Sequence, residues 1–242
     1  LMEKKKTRKN RKYYGPKNRP EGNDFSKSKK TGGKRQETEG RTPARKVTVK
    51  PGPMLYPLPS VMVSCGTMEN SNIITVGWTG IVNTDPPMTY VSIRKSRFSH
   101  QIIRETGEFV INLTSADLTR WCDYCGVKSG RNVDKFKETG LTKEKCQVVR
   151  APMIAESPLS LECVVKEVKE LPSHDMFLAE IVSVHIDERL IDEKGKYQFE
   201  NMDLTAYCHG EYFSLNRKPL GFFGYSVMKP KTRKKLKGKR RP

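Results

Sequence analysis

The sequence predicts a mainly β protein with a few helices, its strands closing into an antiparallel barrel between two basic tails. Three observations predict it. Runs rich in Val, Ile and Leu follow one another with turn residues between them and few helical stretches. Two of these runs, Leu161 to Leu171 and Met176 to Asp187, are separated only by Pro172-Ser173-His174-Asp175, as antiparallel strands joined by a tight turn would be. Charge, finally, is partitioned. Residues 1–50 carry 18 Lys/Arg against 5 Asp/Glu, and residues 229–242 carry nine and none. Of the 46 basic and 27 acidic residues, the middle keeps 19 and 22, so the net charge of +19 belongs to the ends and not to the body.

Three regions are therefore expected: a tail over 1–50, one domain over 51–228, and a tail over 229–242. Tails so poor in apolar residues cannot offset the entropy of ordering and are expected to be disordered. As solubilising segments they need no partner. The alternative is non-specific contact with RNA, DNA or anionic lipid, falling with salt. Leu1 before Met2 points to an unusual start codon or a truncated boundary.

Within the middle, Val61 to Cys65 reads as a strand, and Ile73, Ile74, Val76 and Trp78 form an apolar, β-branched run broken at Thr79-Gly80. Asp85-Pro86-Pro87 is a bend, because each proline fixes its own φ and restricts the residue before it. Met88 to Ile93 alternates as a strand. Arg94, Lys95 and Arg97 follow, with Ser99 placed to cap a helix from His100 to Thr106 and Gly107 to stop it. Three cations beside the free N–H groups of a helix start suit a phosphate, and they equally suit a solvated basic turn. Thr114-Ser115-Ala116-Asp117 resembles a capping box for a helix from about Ser115. Asn132-Val133-Asp134 caps a short helix through Lys137 that ends at Gly140, and Asp192 to Lys196 is a hairpin tip.

The cysteines fit a reducing compartment. Cys65, Cys146, Cys163 and Cys208 are scattered, and only Cys122 and Cys125 are closely spaced. That pair lacks the second pair a structural zinc site uses, and it lacks a thioredoxin-like setting, so two reduced thiols are expected and no metal. No apolar run approaches the ~18 residues of a membrane span, and no signal peptide pattern opens the chain. A soluble, cytoplasmic protein is expected. No GxGxxG or P-loop pattern is present, which removes Rossmann and nucleoside-triphosphatase readings.

The order of several pieces resembles the flavin reductase-like family. They are Pro57-Leu58-Pro59 before the first strand, Asn72 to Trp78, Asp85-Pro86-Pro87, Arg97-Phe98-Ser99 and Glu108 to Leu113. Further on come Ser129-Gly130 with Asp134-Lys135-Phe136, Ala151 to Ile154, and Ser173 to Phe177. The resemblance spans roughly Met54 to Gly224 and implies an FMN-binding split β-barrel of Greek-key type, working as a homodimer with flavin near the interface. It implies that Asn72, Thr75, Trp78 and Thr79 line the flavin ring, with the backbone around Gly77 and Gly80 at its polar edge. Arg94, Arg97 and Ser99 would hold the phosphate, with Lys135 reaching it from the second helix. His174 would stand near the flavin and a nicotinamide, as the catalytic-site histidine. Taken alone, Trp78 reads as a core aromatic, Asn72 as a turn residue and His174 as a surface residue beside a turn. Leu171-Pro172 stands where many relatives have glycine.

The function the resemblance implies is an oxidoreductase that takes hydride from NADH or NADPH and passes electrons to free flavin or another acceptor, with FMN preferred to FAD. One alternative is a flavoredoxin-like electron carrier reduced by a redox protein partner. Another is a basic nucleic-acid-binding protein whose barrel is a scaffold, an idea the near-neutral body opposes.

Overall fold

A computed structural model describes residues 44–215 and 218–229. The expected disorder of the tails falls almost wholly outside these residues. The chain divides after Pro51 into two units. In the first, the described residues 44–51 are exposed and without regular structure.

The second unit holds β1 (Leu58–Pro59), β2 (Val61–Gly66), β3 (Ser71–Val76), β4 (Thr79–Thr84) and β5 (Pro87–Arg94). Helix α1 (Phe98–Thr106) and β6 (Glu108–Leu113) come next, then α2 (Thr119–Val127) and α3 (Lys135–Thr139). The short β7 (Lys143–Glu144) and β8 (Met153–Ile154) pair with each other. The long β9 (Leu159–Glu170) and β10 (His174–Ile186) follow, β11 (Thr205–Cys208) and β12 (Glu211–Ser214) are the last strands, and a short 3-10 turn lies at Tyr225–Val227.

Seven strands form one antiparallel sheet in the order β3-β2-β6-β9-β10-β5-β4. Its two end strands, β3 and β4, are joined by Gly77 and Trp78 alone, so the sheet must curl until its ends lie within about 11 Å. No β3–β4 ladder forms. The Trp78 carbonyl accepts instead from Ser92 N–H at 2.9 Å, and the barrel is split at this seam. Because neighbours along a strand face opposite sides, alternate residues fill one interior: Val61, Val63 and Cys65 of β2, Ile74 and Val76 of β3, Val91 and Ile93 of β5, and Phe177 and Ala179 of β10. Ile103 of α1, Phe109 and Ile111 of β6 and Cys163 of β9 complete it. Each large buried side chain contributes about 1.5–3 kcal/mol. On the outer face of β2 and β3, Met62 and Ile73 pack against Leu118, Cys122 and Cys125 of the α2 region and Phe136 of α3.

Several expectations hold in detail. The β9–β10 pair is antiparallel, with Asp175 opposite Glu170. Asp134 caps α3 by accepting from Lys137 N–H at 3.2 Å, and Gly107 and Gly140 end their helices in the left-handed conformation at φ 70° and 71°. Asp192 N–H donates to the Lys196 carbonyl at 3.0 Å across the hairpin tip, where Gly195 has φ 75°.

Four differ. Thr79-Gly80 is not a break but the start of β4, because it pairs with Val91 and Tyr90. Helix α1 begins earlier than expected, with Arg97 as its N-cap and no side-chain cap. Ser99 lies inside its first turn, where its hydroxyl accepts from Asn72 Nδ2 at 2.7 Å instead of capping. Helix α2 starts at Thr119 and not near Ser115, because Ser115 bridges to Leu204 and Ala116 N–H donates to Asp203. Trp78 is no core aromatic, being 39% exposed at the seam.

Candidate functional site

Two cavities open at the seam and share Ile74, Arg94 and Arg97 as a common wall. The first, of about 310 Å³, is lined by Thr75 of β3, Gly77 and Trp78 of the link to β4, His174 of β10, and Tyr207 and Tyr212 of the small sheet β1-β11-β12, besides the shared arginines. The second, of about 340 Å³, is lined by Asn72, Ser99, Lys128, Ser129, Gly130 and Lys135 besides the two arginines.

Register explains the convergence. His174 opens β10 directly across from Arg94, the last residue of β5. The ring of His174 lies 4.5 Å from that of Trp78 at 37°, and only 8% of the residue is exposed, so it is not a surface turn residue. Ser173 Oγ lies 2.9 Å from its Nδ1. Burial, and then the Arg94 cation, push the imidazole below its ordinary pKa of 6.5, which keeps it neutral near pH 7.

Asn72 is 2% exposed. One end of its amide reaches Ser99, and the other, Oδ1, is buried without a hydrogen-bond partner. Buried polar atoms are rarely left so, and this one borders the cationic cavity. Lys135 is 3% exposed and donates to the Ile73 carbonyl at 2.6 Å and the Cys125 carbonyl at 2.7 Å. An ammonium has three donors, so one is left over. Burial is the main cause that lowers its pKa. Lys95, between the two arginines in sequence, lines neither cavity.

Thr75 lines the first cavity, yet its hydroxyl donates to the Cys122 carbonyl. The structure does not bring Thr79 or Gly80 to either cavity. Thr79 Oγ1 donates to the Tyr90 carbonyl at 2.6 Å, and the Gly80 carbonyl accepts from Thr89 Oγ1 at 2.9 Å. Both are used up within the β4–β5 ladder.

Sequence reasoning missed Tyr207, Tyr212 and Asp123. Tyr212 donates to Asp123 Oδ1 at 3.2 Å, and the rings of Tyr207 and Tyr212 meet edge to face at 5.4 Å. Their signal was present: tyrosines flank the His209-Gly210 turn, where φ is 49° and 101°. Both thiols of the CxxC pair are buried and free, and burial pushes Cys125 up to about 12 and raises Cys122. Among the described residues no cluster of three or more His, Cys, Asp or Glu side chains gathers to hold a metal, and no helix is long and apolar enough to cross a membrane.

The family model for the flavin reductase like domain matches residues 54–216. The chain belongs to the flavin reductase-like family. An uncharacterized protein of Archaeoglobus fulgidus is 34% identical over 163 residues, which cover 67% of this chain and 90% of that protein. Among solved structures, the flavoredoxin of Desulfovibrio vulgaris (Miyazaki F) is 29% identical with a TM-score of 0.70, covering 75% of this chain and all of the other. The flavoredoxin of Methanosarcina acetivorans is 29% identical with a TM-score of 0.69, covering 76% of this chain and 100% of that one. This flavin reductase-like chain accordingly has the split barrel of its relatives.

Proposed function

We propose that the chain is an FMN-binding oxidoreductase that accepts hydride from NADH or NADPH and passes electrons to free flavin or another acceptor. The observation that carries this reading is the pair of cavities with a shared arginine wall. One suits a flat aromatic ring and the other a phosphate, the two parts a flavin mononucleotide presents. The unpartnered Asn72 Oδ1 and the spare Lys135 donor supply polar groups that want a ligand. When bound, the flavin supplies the hydride and electron chemistry.

The protein's own residues bind and orient. Arg94, Arg97 and the first turn of α1 hold the phosphate, with charge-assisted hydrogen bonds as the source of affinity. Trp78 and His174 form one wall at which a nicotinamide is aligned. Hydride transfer depends on close positioning and not on a general base, so a neutral His174 suits it. Flavin absorbance of the purified protein, with the released cofactor identified by chromatography, tests the reading. A colourless protein that takes up neither FMN nor FAD overturns it.

A second reading has its own support. The 29% identity to two flavoredoxins favours an electron carrier reduced by a protein partner. Steady-state NADH or NADPH oxidation with added free flavin separates the two. For assembly, we infer an isologous homodimer with flavin near its interface. The almost wholly exposed Leu220 and Phe223 support a surface that another copy covers. Dilution below the dissociation point should then release FMN, and monomers that keep it would place the cofactor elsewhere.

A further inference from the structure

Asp175 is fully buried, and the function proposed above makes no use of it. It follows His174 on β10, and successive strand residues face opposite sides. Where His174 lines the aromatic cavity, Asp175 faces α1. Its Oδ2 accepts from His100 Nε2 at 2.8 Å and from Arg104 Nη1 at 3.1 Å, and its Oδ1 lies 3.2 Å from Lys95 Nζ. Glu170, its partner across the hairpin, accepts from Arg104 Nη2 at 2.9 Å and lies 3.8 Å from Lys95. One carboxylate thus ties together the 94–97 turn, α1 and the β9–β10 hairpin. Burial pushes its pKa up, but the hydrogen bond from His100 and the nearby Lys95 charge outweigh that and leave it below its ordinary value, ionised near pH 7.

The tie has a consequence for the cavities. The turn carries three cations within four residues, and only Arg94 and Arg97 reach the cavity walls, while Lys95 is held at Asp175. Within the turn, the backbone makes one hydrogen bond of its own, Arg97 N–H to the Arg94 carbonyl at 2.9 Å. Its shape therefore depends on side-chain anchors, and α1 inherits its starting position from the same anchors.

We propose that Asp175 is a positioning residue for phosphate recognition: by holding Lys95, His100 and Arg104 behind the strand, it sets the Arg94–Arg97 pair and the start of α1 in the geometry that takes a phosphomonoester. The proposal rests on the flavin reading above. It adds a determinant of affinity that touches no ligand.

The test is Asp175→Asn in the full chain, near-isosteric but uncharged, with FMN and riboflavin affinities measured by fluorescence titration of the flavin-free protein. A loss of about tenfold or more for FMN, with riboflavin affinity nearly unchanged, is expected. A merely structural role would weaken both ligands alike, and that result, or no change in either, overturns the proposal. Should Asp175→Asn fail to fold, Arg104→Gln serves, since Arg104 lines neither cavity and acts only through Asp175 and Glu170. The same selective loss is expected there, and an unchanged FMN-to-riboflavin ratio overturns the proposal. Wild-type protein that binds neither flavin removes the reading beneath it, a different result from wild-type selectivity that survives in the variant.

Discussion

The rings of Trp78 and His174 lie 4.5 Å apart, one at the seam of the barrel and the other at the first residue of the long strand β10. Both border the first cavity. We expect His174→Ala to retain bound flavin and to slow its reduction by nicotinamide about tenfold or more, because misplacement of an ångström carries large rate costs. Rapid-mixing absorbance at the flavin band reads that step. An unchanged rate would reduce His174 to packing for Trp78.

Arg94 and Arg97 form the wall between the two cavities. Replacing both with Ala should weaken FMN far more than riboflavin, since only FMN carries the phosphate. At about 1.5–3 kcal/mol for each charge-assisted hydrogen bond, roughly tenfold or more per residue is expected in a binding titration. Equal losses for the two ligands would assign the arginines a structural role.

Gly130 lies against Asn72. A Cβ there would sit 2.2 Å from Asn72 Oδ1, 2.6 Å from its Cγ and 2.7 Å from Phe98 Cδ1. Gly130→Ala must displace the buried amide, and a cost of about 1–3 kcal/mol in stability is expected together with weaker FMN binding. Urea unfolding and FMN titration check the two effects. A variant as stable and as tight as wild type would show that Asn72 moves freely and is no fixed part of the site.

Glu162 is fully buried and accepts from the N–H groups of Gln147, Val148 and Val149 at 2.9, 2.7 and 2.8 Å and from His185 at 2.5 Å. Burial raises its pKa, but these four donors outweigh it and hold the carboxyl below 4.5. The unfolded chain therefore binds this proton more tightly. The carboxylate's contribution is fully present above pH 4.5 and is lost as pH falls through the lower folded value. Glu162→Gln should cost about 1–3 kcal/mol near neutral pH and flatten the acid limb of the stability curve. Denaturant unfolding across that range measures both, and an unaltered acid limb would assign acid sensitivity to other groups.

The tails give the last expectation. Deleting residues 1–46 and 229–242 should leave flavin content, assembly and nicotinamide oxidation nearly unchanged, while any affinity for RNA, DNA or anionic lipid disappears. Loss of flavin on truncation would make a tail part of the site.

Turns, stops and strands were legible because their signals are local. Asp134 caps α3, Gly107 and Gly140 end helices, the residues around Pro86 bend, and Met88 to Ile93 alternate, each for reasons contained within a few residues of backbone. In the structure Arg94, Arg97, Asn72, Trp78 and His174 line two adjoining cavities, because those residues sit at or beside element ends that the barrel brings to one seam. The tertiary structure alone decided how each polar side chain is used. Ser99 meets Asn72 in place of its own helix end, Thr79 turns into the β4–β5 ladder, Lys95 is drawn to Asp175, and Ser115 pairs with Leu204 and delays α2. Tyr207 and Tyr212 reach the cavity only because a late hairpin pairs with Leu58 and Pro59 near the start of the fold. A hydroxyl or ammonium takes whichever partner the long-range strand register brings within about 3 Å, and that register is a property of the closed sheet and not of any short segment.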